Sequence, residues 1–309
     1  MRPSSPPRLR LPLAQDTIRG IVTVAAGYAV VSGADAAVKW ALPEVGVAVA
    51  MIWRGIFGML MIALLVRGRG LIPVRLPLLT LRSLLHCGVT VTFYLAWFNG
   101  VPLGDSYAVG ATTPLVMTLL AIPLLGEKVG WRRWTSTVVG FAGVMVMLQP
   151  GGDLWRWEAG LLLCGACVLG LTRIWTRVLA RTDTPQAIAF ALLAFHVPVG
   201  FALLPVFPYD GPIIPAWDIA LCLSVLGLAN GAAHFLFSRA FAIAPVSVLA
   251  PYEYTVLFWG GLFGFFIWSE MPSTNTAIGA AIVITAGLYN LHREHVRRRA
   301  ENAAARGNG

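Results

Sequence analysis

Residues 17–38 read TIRGIVTVAAGYAVVSGADAAV, an apolar run whose only charges are Arg19 near one end and Asp35 near the other. A helix needs about 20 such residues to cross the hydrocarbon core of a bilayer. Outward from this run, similar stretches recur at 46–66, 77–98, 104–125, 132–148, 158–179, 186–205, 217–238, 243–267 and 272–291, with short links between them. The pattern predicts an all-α integral membrane protein with ten spans.

Composition agrees: 57% of residues are hydrophobic and 12% charged, and the mean hydropathy is +0.73, which excludes an ordinary soluble domain. A net charge of +9 raises nucleic acid as a partner, but that needs a folded basic face, and here the arginines sit between apolar runs. They orient the chain instead. With the N-terminus in the cytoplasm, the inner segments hold Arg2, Arg8, Arg10, Arg19, Arg67, Arg69, Arg75, Arg82, Lys128, Arg132 and Arg133. Arg173, Arg177, Arg181, Arg239, Arg293, Arg297, Arg298, Arg299 and Arg306 join them, leaving Lys39 and Arg156 outside and Arg54 within a span. This asymmetry predicts that both termini are cytoplasmic. The acids Asp105, Asp153, Glu158, Asp210, Asp218 and Glu270 fall mostly in outer segments.

The leader from Met1 to Asp16 lacks a short apolar region followed by a small-residue cleavage site, so the first run is expected to stay as a span. The leader and the basic tail after His295 read as short solvated segments. Cys87, Cys164, Cys167 and Cys222 all fall inside predicted spans, so no extracellular disulfide framework is indicated. Cys164-Gly-Ala-Cys167 has redox spacing, but in an apolar helix rather than at a helix start in a βαβ unit. There is no HExxH, GxSxG, Walker loop or His–carboxylate cluster at metal spacing. No catalytic residue and no metal is predicted.

A weak internal repeat divides the chain. Gly126-Glu127 ends the fourth span and Ser269-Glu270 the ninth, and each acid precedes a small-residue helix, through Gly140 and Gly143 in one half and Gly287 in the other. Pro114 and Pro251 interrupt the spans upstream of the two acids. Halves with an odd number of spans must insert upside down relative to each other, an arrangement used by transporters with a midplane site. Gly227 with Gly231, Gly260 with Gly264 and Gly33 with Ala37 are spaced four apart, which suits close helix approach.

Polar stripes mark the faces that should turn inward, because polar atoms in lipid lack partners. Tyr28, Ser32, Asp35 and Lys39 share a face of the first span, and His86, Thr90, Tyr94 and Trp97 a face of the third. Ser106, Gly110, Thr113 and Met117 form a stripe in the fourth, and Asn230, His234 and Ser238 one in the eighth. In Ala250-Pro-Tyr-Glu-Tyr254, Pro251 removes a backbone donor and should open the helix, presenting Tyr252, Glu253 and Tyr254 to a cavity. Glu253 reads equally as a functional charge or as a partner for Arg239 or a tyrosine. Arg54 could clasp a substrate carboxylate or pair with Asp35. His196 reads as a packing histidine. Trp53, Trp97, Trp175, Tyr252 and Trp259 are candidate cavity walls, and Trp131, Trp134, Trp155, Trp157 and Trp217 interfacial anchors.

Several of these segments together resemble the EamA branch of the drug/metabolite transporter superfamily. They are Val101-Pro-Leu-Gly-Asp-Ser-Tyr-Ala108 through Pro114 to Leu125-Gly-Glu127, Arg132-Arg-Trp134 and Gly140-Phe-Ala-Gly-Val144 in the first half. In the second they are Ala240-Phe-Ala-Ile-Ala-Pro-Val-Ser247, Ala250-Pro-Tyr-Glu-Tyr254, Ser269-Glu-Met-Pro272, Gly279 and Gly287-Leu-Tyr289. The resemblance implies a basket-like fold of two inverted five-helix repeats, at 17–150 and 151–291, between a leader at 1–16 and a tail at 292–309. It also implies a central cavity, no tightly bound cofactor, and a monomer in a lipid bilayer that moves a small-molecule substrate by alternating access. Bacterial amino-acid exporters of the YddG type are the member group the chain is taken to be most similar to, so export or facilitated diffusion of amino acids is the expected function. Related carriers move S-adenosylmethionine, riboflavin or nucleotide sugars, and the alternatives are a carrier of another such metabolite or drug-like solute, or a membrane enzyme or receptor that uses the same cavity. Arginine far outnumbers lysine, present only at Lys39 and Lys128, which suggests a GC-rich bacterial genome and an inner-membrane home.

Overall fold

The computed structural model describes residues 14–125, 131–148, 156–207, 212–244 and 249–307. Gly126, Glu127, Lys128, Asp153, Trp155, Asp210 and Ser247, with the leader through Leu13, lie outside them. The described elements are α1 (Ala14–Val66), α2 (Leu76–Phe98), α3 (Leu103–Gly110), α4 (Thr113–Leu125), α5 (Trp131–Leu148) and α6 (Trp157–Leu179). They continue as α7 (Pro185–Leu203), α8 (Trp217–Ile243), a 3-10 turn (Ala250–Tyr254), α9 (Thr255–Trp268) and α10 (Thr274–Gly307). Among the described residues, five helices are long and apolar enough to cross a membrane, by length and composition.

The first two expected spans form one element with a reversal inside it. Pro43 lacks a hydrogen-bond donor, and Gly46 adopts φ 69° and ψ 170°, a backbone region in which a side chain would be strained. Contacts along α8 run in opposite senses for the two arms of α1. Gly20 meets Ala244 and Gly27 meets Phe237, whereas Gly227 meets Trp53 and Phe57 and Gly231 meets Gly58 and Met61. The arms are therefore antiparallel, and α8 lies along both.

Two other spans are broken at their prolines. The fourth run divides into α3 and α4 at Ala111 and Thr112, just before Pro114, whose missing N–H cannot continue the helix. The ninth run opens as the 3-10 turn that contains Pro251 before α9 begins. At the C-terminus, α10 continues through Gly307, so the tail expected to be solvated coil is helical. Ala, Arg and Glu, all good helix formers, make up most of it.

In lipid, helices associate through close packing and polar contacts rather than by burying apolar surface from water. Glycines provide the close packing at two seams. A Cβ on Gly231 would stand 2.5 Å from the Gly58 carbonyl oxygen, and Gly143 on α5 and Gly279 on α10 each face the other's carbonyl. We predict that Gly231→Ala lowers the thermal midpoint of the detergent-solubilised protein by an amount equivalent to about 1–3 kcal/mol. Gly160→Ala, at a position with nothing within 4 Å, should leave the midpoint unchanged. Equal behaviour of the two variants would contradict the seam.

Candidate functional site

A cavity lies between α1, α2, α3, α4, α6, α8 and the 3-10 turn. The faces that line it follow from helical spacing. Tyr28 and Asp35 come from α1, and His86, Thr90, Phe93, Tyr94 and Trp97 from one side of α2. Arg54, Tyr107, Thr113, Pro114, Arg173, His234, Phe237 and Glu253 complete most of the wall.

One end is organised by Arg54, a buried guanidinium that donates from Nη1 to Tyr94 Oη at 3.0 Å and from Nη2 to His234 Nε2 at 2.9 Å. Arginine has no acceptor, so His234 accepts through Nε2 and is the neutral tautomer carrying its proton on Nδ1. Asp35 Oδ1 lies 3.9 Å from Arg54 Nη1, and Asp35 Oδ2 accepts from Tyr107 Oη at 2.9 Å. Trp97 donates to Ser106 Oγ at 2.7 Å, which fixes its indole against Tyr94 and Tyr107. Beyond this end, Lys39 pairs with Glu270 and lies over Trp268, while Glu270 Oε2 accepts from the Leu103 N–H at 3.1 Å. That contact ties α1, α3 and the link between α9 and α10.

In the middle, the His86 and His234 rings meet edge to face at 5.4 Å. The other end holds Arg173 and Glu253, with Nε and Oε1 3.6 Å apart. The Arg173 guanidinium lies over Phe237 at 4.9 Å and Phe241 at 5.7 Å. Tyr28 is buried beside this pair, its hydroxyl next to both charges but just beyond hydrogen-bond distance.

Of the residues singled out in the sequence, the structure brings Tyr28, Asp35, Arg54, His86, Tyr94, Trp97, Thr113, Pro114, His234 and Glu253 to this cavity. Others lie elsewhere. Ser32 is fully buried beside Tyr107 and does not line the cavity, and Asn230 is buried and donates to Leu226 O in its own helix. Trp175 sits two residues from Arg173 and so on the opposite side of α6. Tyr252 packs with Val24, Tyr28 and Phe237. Tyr254 packs with Leu115, Val144 and Val283, its hydroxyl against Gly287. Trp53 donates to Ile213 O at 2.9 Å and stacks on Phe57, and Trp259 stacks on Phe263. His196 is fully buried, with Nε2 against Thr90 and Nδ1 against Leu192 O.

Two cations were read only for orientation. Arg173 lines the cavity, and Arg82 is buried one helical turn beyond His86, donating from Nε to Thr176 Oγ1 at 3.1 Å. The available signal was the four-residue step that extends the His86, Thr90 and Tyr94 stripe back to Arg82.

Comparison with known proteins matches the EamA-like transporter family to residues 18–149 and again to 156–290. The chain belongs to that family. A riboflavin transporter of Rhizobium johnstonii is 30% identical over 66% of this chain and 68% of its own length. One from Brucella anthropi is 27% identical over 89% of this chain and 98% of its own. An S-adenosylmethionine uptake transporter of Rickettsia prowazekii is 28% identical over 64% and 67%, respectively. A crystal structure at 17% identity, covering 89% of this chain and 96% of that one with a TM-score of 0.62, shares the fold. Both matched segments of this EamA protein contribute cavity residues.

Breaking the Arg54 cluster from one side should leave a buried charge uncompensated. We predict that Arg54→Met costs about 3–5 kcal/mol of stability, read as a lower thermal midpoint, and that adding Asp35→Leu recovers much of it. Tyr94→Phe should cost about 0.5–1.5 kcal/mol. A double variant as unstable as the sum of its singles would contradict the pairing.

Proposed function

We propose that this EamA protein is an alternating-access carrier for a small, ring-bearing organic metabolite. It works as a monomer of ten spans in two inverted repeats, with both termini in the cytoplasm of a bacterial inner membrane. The observation that carries this reading is a cavity between the helices lined by residues from both halves of the chain, apolar and aromatic over most of its wall with a few convergent polar and charged groups, as small-molecule sites are. Its wall of Phe93, Tyr94, Trp97, Tyr107 and Phe237 suits a flat ring, and its charged ends suit polar substituents. Relatives named for riboflavin and S-adenosylmethionine transport support that substrate class.

Amino-acid export is a second reading. The Arg54–Asp35 pair favours it by presenting a cation and an anion 3.9 Å apart, as a zwitterion requires. Both charges already have protein partners, so an amino acid would have to displace them.

Purified protein in liposomes decides between these readings. Labelled riboflavin or S-adenosylmethionine should equilibrate faster than in empty vesicles, without ATP or sodium, and faster than labelled amino acids. Preferential flux of amino acids would favour the second reading, and no acceleration of any of these solutes would contradict the carrier. Orientation is tested with native cysteines replaced. Ile214→Cys, in an exposed link, should react with an impermeant thiol reagent on intact cells, and Arg69→Cys only after disruption. The reverse pattern would overturn the topology.

A further inference from the structure

The two ends of the cavity differ in how many of their polar atoms are satisfied. At the Arg54 end the guanidinium donates to Tyr94 and His234 and the Asp35 carboxylate accepts from Tyr107, which leaves Arg54 Nε unpaired. At the Glu253 end, Tyr28 Oη, Arg173 Nε and Glu253 Oε1 have no hydrogen-bond partner among the described residues, Arg173 and Glu253 facing each other at 3.6 Å, and Arg82 Nη1, behind the cavity wall beside Thr176, has none either. Buried polar atoms in folded proteins are ordinarily paired, so a cluster of unpaired ones calls for a missing partner.

The charges there do not balance. Arg82 is 3% exposed, donates to Thr176, and has no carboxylate within ion-pair distance among the described residues. His86, one turn along α2, reaches Thr172 at 3.4 Å, so this face of α2 lies against the α6 face that carries Thr172, Arg173 and Thr176. Arg82 bonds to Thr176, three residues along α6 from Arg173, and Glu253 is the carboxylate paired with Arg173. Two cations therefore share one anion in a membrane interior, where an uncompensated charge is costly.

We infer that the Glu253 end of the cavity binds an anionic group of the transported solute, a carboxylate or a phosphate, between Arg82 and Arg173. Guanidinium forks suit both groups, and the ring of the solute then extends along α2 toward Phe93. Glu253 stands in for that anion at Arg173 while the solute is absent. This rests on the carrier reading for the word transported, and on the unpaired cluster alone for the binding.

The test measures equilibrium binding to the full chain in zwitterionic-lipid nanodiscs, using pairs that differ in one anionic group. Quenching of flavin fluorescence compares riboflavin 5′-phosphate with riboflavin, and competition against the flavin compares tryptophan with tryptamine. The anionic member of at least one pair should bind about ten-fold or more tightly, as charge-assisted hydrogen bonds allow. A preference confined to the flavin pair identifies phosphate, and one confined to the tryptophan pair identifies carboxylate. Arg82→Gln should bring the ratio close to one, and Arg82→Lys should retain part of it. Glu253→Gln should raise the ratio, whereas a purely structural Glu253 would not. No anion preference in either pair overturns the site, as does a preference that survives Arg82→Gln. If that variant does not fold, the wild-type ratio and Glu253→Gln decide. Riboflavin flux with no anion preference would keep the carrier and remove this site. Anion-selective binding without flux would do the reverse.

Discussion

A guanidinium held in an apolar bundle is the constraint from which the rest of this structure follows. Arg54 cannot remain charged in a low-dielectric interior without partners, and those it finds come from different helices. Asp35 is on the other arm of α1, Tyr94 on α2 and His234 on α8, and Asp35 in turn reaches Tyr107 on α3. One charge thus gathers four helices around the space it faces. The Gly46 reversal is what allows Asp35 and Arg54, on the same element, to meet across it.

Glycine supplies what polar contacts cannot, which is contact between backbones along most of a helix. Gly27, Gly58, Gly227 and Gly231 let α8 lie against both arms of α1, and Gly143 with Gly279 does the same for α5 and α10. Between these seams the chain is interrupted where the cavity needs irregular backbone, at Ala111 and Thr112 before Pro114 and in the 3-10 turn around Pro251. Non-helical backbone at membrane depth is tolerated where it lines a cavity. Both Pro114 and Glu253, two residues after Pro251, do so.

The stripes on α1 and α2 were legible because a four-residue step identifies a face whatever packs against it. Tyr28, Asp35, His86, Tyr94 and Trp97 all reach the cavity. Trp175, Tyr252 and Tyr254 did not follow, because type and proximity to a polar residue do not fix direction, and Asn230, though in step with His234, turns its amide back onto Leu226 O of its own helix. Tyr254 follows Glu253 directly, and on so short a turn its ring enters the seam at Gly287. Arg82 and Arg173 were hidden for another reason. Cations near span ends fit a positive-inside pattern whether or not they turn inward, and burial became visible only once α2 and α6 were seen face to face. Helix merging and breaking at Gly46 and Ala111 also depend on backbone geometry that hydropathy does not carry.

An alternating-access carrier of the kind proposed offers one cavity to both membrane faces in turn, moving its solute by exchange between two conformations. Counterflow tests this most directly. Liposomes containing the purified protein are loaded with a high concentration of the unlabelled solute that equilibrates fastest, then diluted into a trace of the labelled form. A carrier predicts that internal label rises transiently above its equilibrium level before decaying. Label that only approaches equilibrium from below, at a rate independent of the internal load, would contradict alternating access.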